Sequence, residues 1–284
     1  MGGDVVKIRF LGTGASEAIP ALFCECDTCK MARRLGGKNI RTRAQALVND
    51  DLLIDFGPDT NYHAIQSGLE LANIKHCLIT HAHSDHLYLD DIEKRRFGFA
   101  YISDEAEPLT FYGSNLIYKK ISSFIKNGRL YDSTRVAAKE IFRYSPFSFE
   151  DYTVTALDAT HSKNTDPVIY MIEKDGKSLL YAHDTGLFPD SVWKYFKKTK
   201  PRFSLVSLDC TGGSKPISYK EHMNAERCKA IKEKLLEYGY ADENTVFCLN
   251  HFSHNGIDTD FDTFCSLPQT KEFVVTYDGL VVEF

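Results

Sequence analysis

The sequence lacks any uninterrupted apolar run near the ~20 residues that a membrane-spanning helix requires. Its first residues also lack the basic segment followed by an apolar segment that typifies a secretory signal peptide. Low-complexity tracts, linker-like stretches and repeats of solenoid length are absent from the sequence as well. We therefore expect a cytoplasmic protein without membrane partners that folds as a single domain over residues 1–284.

Positive charge is not in excess, because 34 Lys and Arg face 39 Asp and Glu and the net charge is −5. Proteins whose affinity for nucleic acid comes mainly from phosphate contacts carry a basic excess instead. We therefore expect no stable nucleic-acid binding. A small phosphorylated substrate held by one or two local cations fits this composition, and a homodimer is compatible with it.

Strand-like and helix-like segments alternate along the whole chain. Residues 5–11 read as a strand, residues 46–49 and 52–56 as a hairpin, and residues 75–80 as a buried strand. Residues 221–238 form the clearest helical pattern, whereas the region at about 93–148 is variable and the least regular. Strands at both ends with helices interspersed predict a layered α/β fold with sheets inside and helices outside.

Residues 80–86, THAHSDH, place four candidate metal ligands directly after an apolar run. These ligands are His81, His83, Asp85 and His86. Imidazole and carboxylate groups together suit zinc, iron or manganese. A His-rich polar turn is the alternative, but three imidazoles and a carboxylate at this spacing are hard to explain as packing. The sequence predicts a metal site in a loop that follows a buried strand.

Further His and Asp residues follow other predicted strands. His161 follows the strand at 152–156, Asp184 the strand at 179–182, and His251 the strand at 246–249. Seven ligands are too many for one zinc ion, which typically takes four. They suit two divalent metals that share a bridging carboxylate and a bridging hydroxide. Metal-bound water has its pKa lowered from ~15.7 to about 7, which supplies a nucleophile at neutral pH.

The pattern His-x-His-x-Asp-His, with a later His, Asp and final His, resembles the metallo-β-lactamase superfamily. The resemblance implies a four-layer αβ/βα sandwich with a dinuclear site. It also implies that Asp55, at the end of the second hairpin strand, fixes the motif loop from behind the ligands. The implied ligand set is divided between two metals: His81, His83 and His161 for the first, Asp85, His86 and His251 for the second, and Asp184 as the bridge.

Three cysteines cluster as Cys24, Cys26 and Cys29 in a loop at residues 24–29. Clustered thiols in a chain without a secretory leader indicate metal binding rather than disulfides. A structural zinc needs a fourth ligand, and His254 is the candidate. A reduced, metal-free loop is the alternative. The remaining cysteines are expected to be buried small hydrophobes: Cys77, Cys210, Cys228, Cys248 and Cys265.

Several motifs together resemble a narrower group, the PhnP-type phosphodiesterases, which hydrolyse phosphoribosyl cyclic phosphate. These are FLGTG at 10–14, the cysteine cluster, THSK at 160–163, Asp209 with Cys210, and the pair His251 and His254. The resemblance implies a structural zinc on the three cysteines and His254. It implies that His222 assists at the phosphate, the alternative being a surface residue at a helix start. His183, which precedes Asp184, and the long region 93–148 depart from the group's pattern.

The leading interpretation is a phosphodiesterase with two active-site metals (zinc, manganese or iron) and one structural zinc. His222 and Asp85 are the candidate catalytic residues, and Lys163 is a weaker candidate for substrate binding. One alternative is a tRNA 3′-processing endonuclease of the tRNase Z type, which cleavage of precursor tRNA would reveal. Others are a lactone or thioester hydrolase of the same superfamily, and a non-catalytic metal-stabilised binding protein that hydrolyses nothing.

Overall fold

The computed structural model describes residues 5–103, 106–127 and 135–284. Over those residues the strands form two seven-stranded sheets. In chain order the strands are β1 (Lys7–Gly12), β2 (Gln45–Val48), β3 (Leu52–Ile54), β4 (His76–Leu78), β5 (Leu109–Gly113), β6 (Val136–Glu140), β7 (Phe147–Phe149), β8 (Tyr152–Asp158), β9 (Val168–Lys174), β10 (Lys177–Ala182), β11 (Leu205–Asp209), β12 (Val246–Asn250), β13 (Val274–Val275) and β14 (Leu280–Glu283).

Seven α-helices are found in the described ranges. They are α1 (Asp27–Leu35), α2 (Thr60–Ser67), α3 (Leu89–Ile92), α4 (Asn115–Lys126), α5 (Asp190–Thr199), α6 (Ala225–Glu237) and α7 (Phe261–Ser266). No helix of this part of the chain has the length and apolar character that crossing a bilayer requires.

Both sheets are mixed, with the order β14-β1-β2-β3-β4-β5-β6 in the first and β13-β12-β11-β10-β9-β8-β7 in the second. β3 to β6 run parallel in the first sheet, as do β10 to β13 in the second. Because the carboxyl ends of parallel strands meet at one edge of a sheet, loops leaving those ends lie side by side. This arrangement brings distant parts of the chain to a common site.

The apolar core has three layers of contact. Residues of both sheets, such as Phe10, Tyr170 and Tyr181, share one buried cluster, so the sheets pack face to face. On the outside of the first sheet, Ile117 and Ile121 of α4 are buried in a second cluster. A third cluster includes buried side chains of α5 and α6 and lies on the outside of the second sheet. Burial of each large apolar side chain contributes about 1.5–3 kcal/mol. The predicted four-layer αβ/βα sandwich is confirmed.

Most predicted elements are confirmed with small changes at their ends. The strand at 5–11 is β1, the hairpin is β2 with β3, and the strand at 75–80 is the shorter β4. Region 93–148, the least regular part of the sequence, contains β5, α4 and β6 among its regular elements. Residues 104–105 and 128–134 of that region lie outside the described residues. Four of the five single cysteines are fully buried as expected, whereas Cys265 is half-buried.

Two predictions about local structure were wrong. The helix at 221–238 begins only at Ala225, because the Asn224 side chain accepts a hydrogen bond from the Arg227 amide and caps it. His222 therefore lies in the loop before the helix. The cysteine cluster is not a simple loop either, since Cys26 caps α1 and Cys29 lies in its first turn.

Candidate metal centre

The predicted site residues meet along one edge, where strands of both sheets end. β4 leads to the histidine motif, β8 to His161, β10 to Asp184 and β12 to His251. The ligand atoms of these residues form overlapping groups, each within 4.8 Å, that could hold metal ions. The groups include His81, His83 and His161; His81, His86 and Asp184; and Asp85, His86 and His251.

Three residues of this edge have left-handed backbone conformations. φ is 68° at Asp55, 49° at Asp184 and 61° at His251. Such conformations are uncommon for residues other than glycine, although Asp, Asn and His adopt them more readily than most. They cluster at functional sites, where the surrounding structure holds them. Here each one lies directly at a strand end and turns a side chain into the site.

The first group is made of three imidazoles. His83 Nδ1 lies 2.9 Å from His81 Nε2 and 3.3 Å from His161 Nε2. Ligands at the ~2.1 Å zinc–nitrogen distance in a tetrahedron are separated by roughly 3.4 Å. The three nitrogens therefore converge as the ligands of one ion would.

The second group is centred on Asp184. Its Oδ2 lies 2.9 Å from His86 Nε2 and 2.8 Å from His251 Nε2, while its Oδ1 lies 3.7 Å from His161 Nε2. Asp85 Oδ2 is 3.2 Å from His86 Nε2. One carboxylate thus faces both groups, which is the placement that a bridging ligand needs.

Hydrogen bonding supports the fit of this donor set to metal ions. Asp184 Oδ2 and His251 Nε2 are both buried and have no hydrogen-bond partner with good geometry. Unpaired buried polar atoms are costly, and a few such atoms aimed at a common point are explained by a bound ion. The donor types, imidazole nitrogen and carboxylate oxygen, suit zinc, iron or manganese.

The charges of this centre are strongly coupled. Burial opposes ionisation of Asp184, but His251 and His86 outweigh it and hold its pKa well below the usual range. Burial likewise opposes protonation of His86, but Asp85, Asp55 and Asp184 raise its pKa well above the usual value. The carboxylates therefore demand nearby positive charge, which protons or metal ions would provide.

Asp55 lies behind the ligands and contacts the motif. It accepts hydrogen bonds from the Thr80 amide at 2.8 Å and the Thr80 hydroxyl at 2.9 Å. Its Oδ2 lies 2.7 Å from His86 Nδ1 and accepts a hydrogen bond from the proton on that nitrogen. His86 is thereby oriented with Nε2 towards Asp85 and Asp184, as expected for a metal-ligating histidine held by a carboxylate.

Asp209 is a buried residue that the sequence marks only as part of a motif, with no role of its own in the site. Its Oδ2 lies 2.9 Å from His222 Nδ1, and its Oδ1 accepts hydrogen bonds from the Thr211 and Met223 amides at 3.0 Å. His222 Nδ1 is also 3.9 Å from Asp184 Oδ1. Burial opposes the charge on His222, but Asp209 and Asp184 raise its pKa to about 9. Asp209 is the last residue of the apolar strand β11, much as Asp184 lies just after β10, and this position was a signal for it.

Thr211 connects this pair to the metal centre. Its hydroxyl lies 2.8 Å from His251 Nδ1 and 3.1 Å from His222 Nδ1. The same hydroxyl donates to the His251 carbonyl at 2.9 Å. If Nε2 of His251 binds a metal, its Nδ1 carries the proton, and Thr211 is placed to accept it.

The cysteine cluster forms a second candidate site with His254. The side chains of Cys24, Cys26, Cys29 and His254 have ligand atoms within 4.8 Å of one another. His254 Nδ1 lies 3.6 Å from Cys24 Sγ and 3.4 Å from Cys26 Sγ. Burial raises the pKa of the Cys26 thiol, but hydrogen bonds from the Cys29 amide and His254 outweigh this effect and lower the pKa to about 6. A thiolate at a helix N-terminus is a good metal ligand.

The segment 251–254 joins the two candidate sites. His251 belongs to one site and His254 to the other, and Phe252 lies between them. The Phe252 amide donates to the Thr13 carbonyl, and its own carbonyl accepts from the Ala15 amide, both at 2.9 Å. The two sites are therefore linked through a short stretch of backbone whose central residue, Phe252, is buried and hydrogen-bonded through both its amide and its carbonyl.

Two residues noted in the sequence are placed apart from these groups. Lys163 is exposed on a short 3₁₀ turn, Lys163–Thr165, after His161. His183 is buried, with its Nε2 2.7 Å from the Ser207 hydroxyl and its ring close to Tyr181. Burial and the neighbouring His251 lower the pKa of His183 to about 3. It is a neutral packing residue behind the centre.

Two facing mixed sheets, covered by helices and carrying a histidine- and aspartate-rich cluster at their common edge, define a metallo-hydrolase-like αβ/βα sandwich. The chain belongs to the β-lactamase superfamily domain family, which matches residues 51–235. This match includes the histidine motif, His161 and Asp184, whereas the cysteine cluster and His251 lie outside it.

Solved structures have the same fold over nearly the whole chain. A diphosphatase of the PhnP family has a TM-score of 0.71 and 21% identity, covering 99% of this chain and 98% of its own. Zinc-bound PqqB from Methylobacterium extorquens has a TM-score of 0.71 and 17% identity, and the alignment covers 98% of this chain and 100% of PqqB. The short form of human tRNase Z has a TM-score of 0.63 and 15% identity, covering 97% and 98%.

A curated relative shares only part of its sequence with this chain. An octanoyltransferase of Porphyromonas gingivalis (strain ATCC BAA-308 / W83) is 34% identical over 92 residues. That stretch is 31% of this chain and 18% of the octanoyltransferase, so most of that enzyme has no counterpart in the alignment.

Proposed function

We propose that the chain is a hydrolase with two divalent metal ions, zinc, manganese or iron, that cleaves a small phosphodiester such as phosphoribosyl 1,2-cyclic phosphate. The convergence of imidazole and carboxylate atoms at the sheet edge supports two adjacent metals. The proposed ligands are His81, His83, His161, Asp85, His86, His251 and the bridging Asp184. A structural zinc is proposed on Cys24, Cys26, Cys29 and His254.

The charge balance of the centre suits an anionic substrate. Asp85 and Asp184 are its two carboxylate ligands, and the imidazoles that bind metal are neutral. Two carboxylate charges do not cancel the four positive charges of two divalent ions, so the occupied centre attracts a phosphate. When bound, such ions lower the pKa of water and stabilise negative charge on a phosphoryl group.

The pairing of Asp209 with His222 carries the proposal for phosphodiester cleavage. The Nδ1 proton of His222 is donated to Asp209, so the ring orientation is fixed and Nε2 is left to act on the substrate. The ring stacks on His251 at 5.8 Å and 12°, beside the proposed ligands. His222 is thus placed to hand a proton to the departing alkoxide. Lys163 remains a proposed phosphate contact from the exposed turn after His161.

A leaving-group series tests this role of His222. We expect His222→Ala to retain both metals and to lose about 10²–10⁴-fold in turnover of an alkyl phosphodiester, since general acids typically contribute that much. The loss in turnover of bis(4-nitrophenyl) phosphate should be much smaller, because the nitrophenolate leaving group departs without being protonated. The control is His76→Gln, at the opposite end of β4. Equal losses on both substrates would contradict the role.

The same assay distinguishes the alternatives. Protein of measured metal content is assayed with four substrates: phosphoribosyl cyclic phosphate, precursor tRNA, a lactone and a thioester. Cleavage of precursor tRNA at nanomolar enzyme would favour a tRNase Z-type activity. Two bound metals with no hydrolysis of any substrate would favour a binding protein.

Acyl hydrolysis is a second candidate function, favoured by the partial similarity to an octanoyltransferase. A metal centre that activates water attacks a carbonyl carbon as well as phosphorus, so the fold leaves both open. An octanoyl thioester is the substrate to test. Its hydrolysis with no phosphodiester cleavage would replace the first proposal.

A further inference from the structure

An apolar cavity of about 220 Å³ lies close to the histidine motif. Its floor is formed by Phe56, Ile92 and Leu109, which are all buried. Phe56 directly follows Asp55, and the Phe56 amide donates to the His86 carbonyl at 2.8 Å. The cavity therefore begins one residue away from Asp55 and is lined by none of the proposed metal ligands.

The size and lining of the cavity favour an apolar ligand. A cavity of roughly 150 Å³ lined by Leu, Ile and Phe stays dry and binds benzene. The cavity here is larger, and Leu71, Ala72, Ala100 and Ile102 complete its apolar wall. Water needs two or more polar partners in such a space, whereas a hydrocarbon chain needs none.

Two basic side chains line the cavity. Arg95 lines the cavity, and its guanidinium donates to the backbone carbonyls of Arg135 at 2.9 Å and Glu107 at 3.2 Å. Carbonyls hold the group without cancelling its charge. Lys94 also lines the cavity and is in an ion pair with no carboxylate of the described chain. Among the described lining residues, two cations, Lys94 and Arg95, stand against one carboxylate, Asp91.

Large apolar side chains are exposed along the same segment. Phe97 is 75% exposed, Phe99 56% and Tyr101 99%. Three exposed aromatic residues within five positions mark an interaction surface rather than chance exposure. Tyr101 also lines the cavity, and the Lys94 ammonium lies 4.8 Å from the Phe99 ring.

We propose that this cavity binds the acyl chain of an anionic amphiphile, with the charged head group at Lys94 and Arg95. The chain fills the apolar space, and the exposed aromatic side chains cover the part that remains outside. The amphiphile is either a free carboxylate or a lipid of an anionic bilayer. This inference goes beyond the proposed hydrolysis and does not depend on bound metal.

A chain-length series tests the cavity directly. Calorimetric titration of the metal-loaded protein with linear carboxylates from butanoate to dodecanoate should show affinity rising about fourfold per added methylene. The rise should stop once the cavity is full. Ala100→Phe should abolish binding by filling the space. Ala106→Phe, on the same segment but outside the lining, should not.

The head group is tested with matched variants and ligands. Lys94→Gln should weaken octanoate several-fold and leave octanol unchanged. Lys119→Gln, an exposed lysine of α4, should change neither. Thermal melts of all variants establish that loss of binding is not loss of fold.

A vesicle-binding experiment distinguishes the two sources of the acyl chain. Cosedimentation with phosphatidylglycerol vesicles but not phosphatidylcholine vesicles, lost in Ala100→Phe, would support a bilayer lipid. Saturable binding of free octanoate, lost in the same variant, would support a free carboxylate. Binding in neither arm, or unchanged binding by Ala100→Phe, overturns the proposal. Self-association lost in Ala100→Phe without amphiphile binding would instead assign the surface to a second copy.

Discussion

Asp55 Oδ2 lies 2.7 Å from Nδ1 of His86, and both side chains are buried. The carboxylate holds the imidazole so that its second nitrogen faces Asp85 and Asp184. A residue that binds no metal itself therefore sets the geometry of a proposed ligand.

Asp55→Asn should lower affinity for one active-site metal by about 10–100-fold, the usual effect of losing a carboxylate behind a ligating histidine. Asn tolerates the left-handed backbone at this position, so the fold should persist. Metal titration followed by elemental analysis measures the change. Asp151→Asn, an exposed carboxylate, is the control. Unchanged affinity would show that the hydrogen bond only supports the loop.

Thr211→Val should weaken metal binding at His251, because Val keeps the shape of Thr and removes the hydroxyl that accepts from Nδ1. Its hydroxyl also contacts His222, so turnover should fall further than metal occupancy explains. Occupancy and kcat are measured on the same samples at saturating metal. Thr211→Ser should restore both. If Val and Ser variants behave alike, the hydroxyl has no positioning role.

Cys24→Ser should remove one metal ion per chain and keep the other two. Structural zinc sites contribute folding free energy directly, so the melting temperature should fall as well. Elemental analysis and thermal unfolding measure both effects. Cys265→Ser, which changes a half-buried cysteine outside the cluster, should leave the metal content unchanged. Retention of every metal by Cys24→Ser would refute the structural site.

We expect the buried His63 to lower the free energy of unfolding in acid. It is 3% exposed, and burial lowers its pKa to about 4 in the folded state, from about 6.5 when unfolded. The unfolded chain therefore binds more protons between these values, so stability present above pH 6.5 is lost as pH falls to 4. The loss is about 3 kcal/mol at 1.36 kcal/mol per pKa unit.

Urea unfolding at several pH values measures this dependence. His63 contacts Gln45 and Thr42, so His63→Gln should be less stable at pH 7. Between pH 6.5 and 4 its stability should fall less steeply than that of the unchanged protein. Parallel pH profiles for the two proteins would assign the acid sensitivity to other groups.

The sequence predicted those parts of the site whose signals are short in range. The histidine motif lies within seven residues, and His161, Asp184 and His251 each follow an apolar strand. Asp209 lies at the end of such a strand, but its significance depends on His222, thirteen residues later. Only the folded loop between β11 and α6 brings that carboxylate within 2.9 Å of the imidazole.

Helix starts were harder to predict than strands. The pattern of α6 extended back through residues 221–224, but a side-chain cap at Asn224 overrides it. α1 was missed because it contains few apolar residues and its N-terminus carries Cys26 as the cap and Cys29 in the first turn. The cavity beside Phe56 could not be predicted at all, since its walls come from segments that are adjacent only in the fold.

The backbone link between the two candidate sites has a consequence for assembly in the cell. Since Phe252 is fixed on both sides between His251 and His254, disorder at the cysteine cluster would reach the candidate metal centre through three residues. We expect the two sites to be loaded in order, the thiolate site first. The proposed hydrolase would then stay incomplete in an organism short of zinc, even when manganese or iron for its two-metal centre is plentiful.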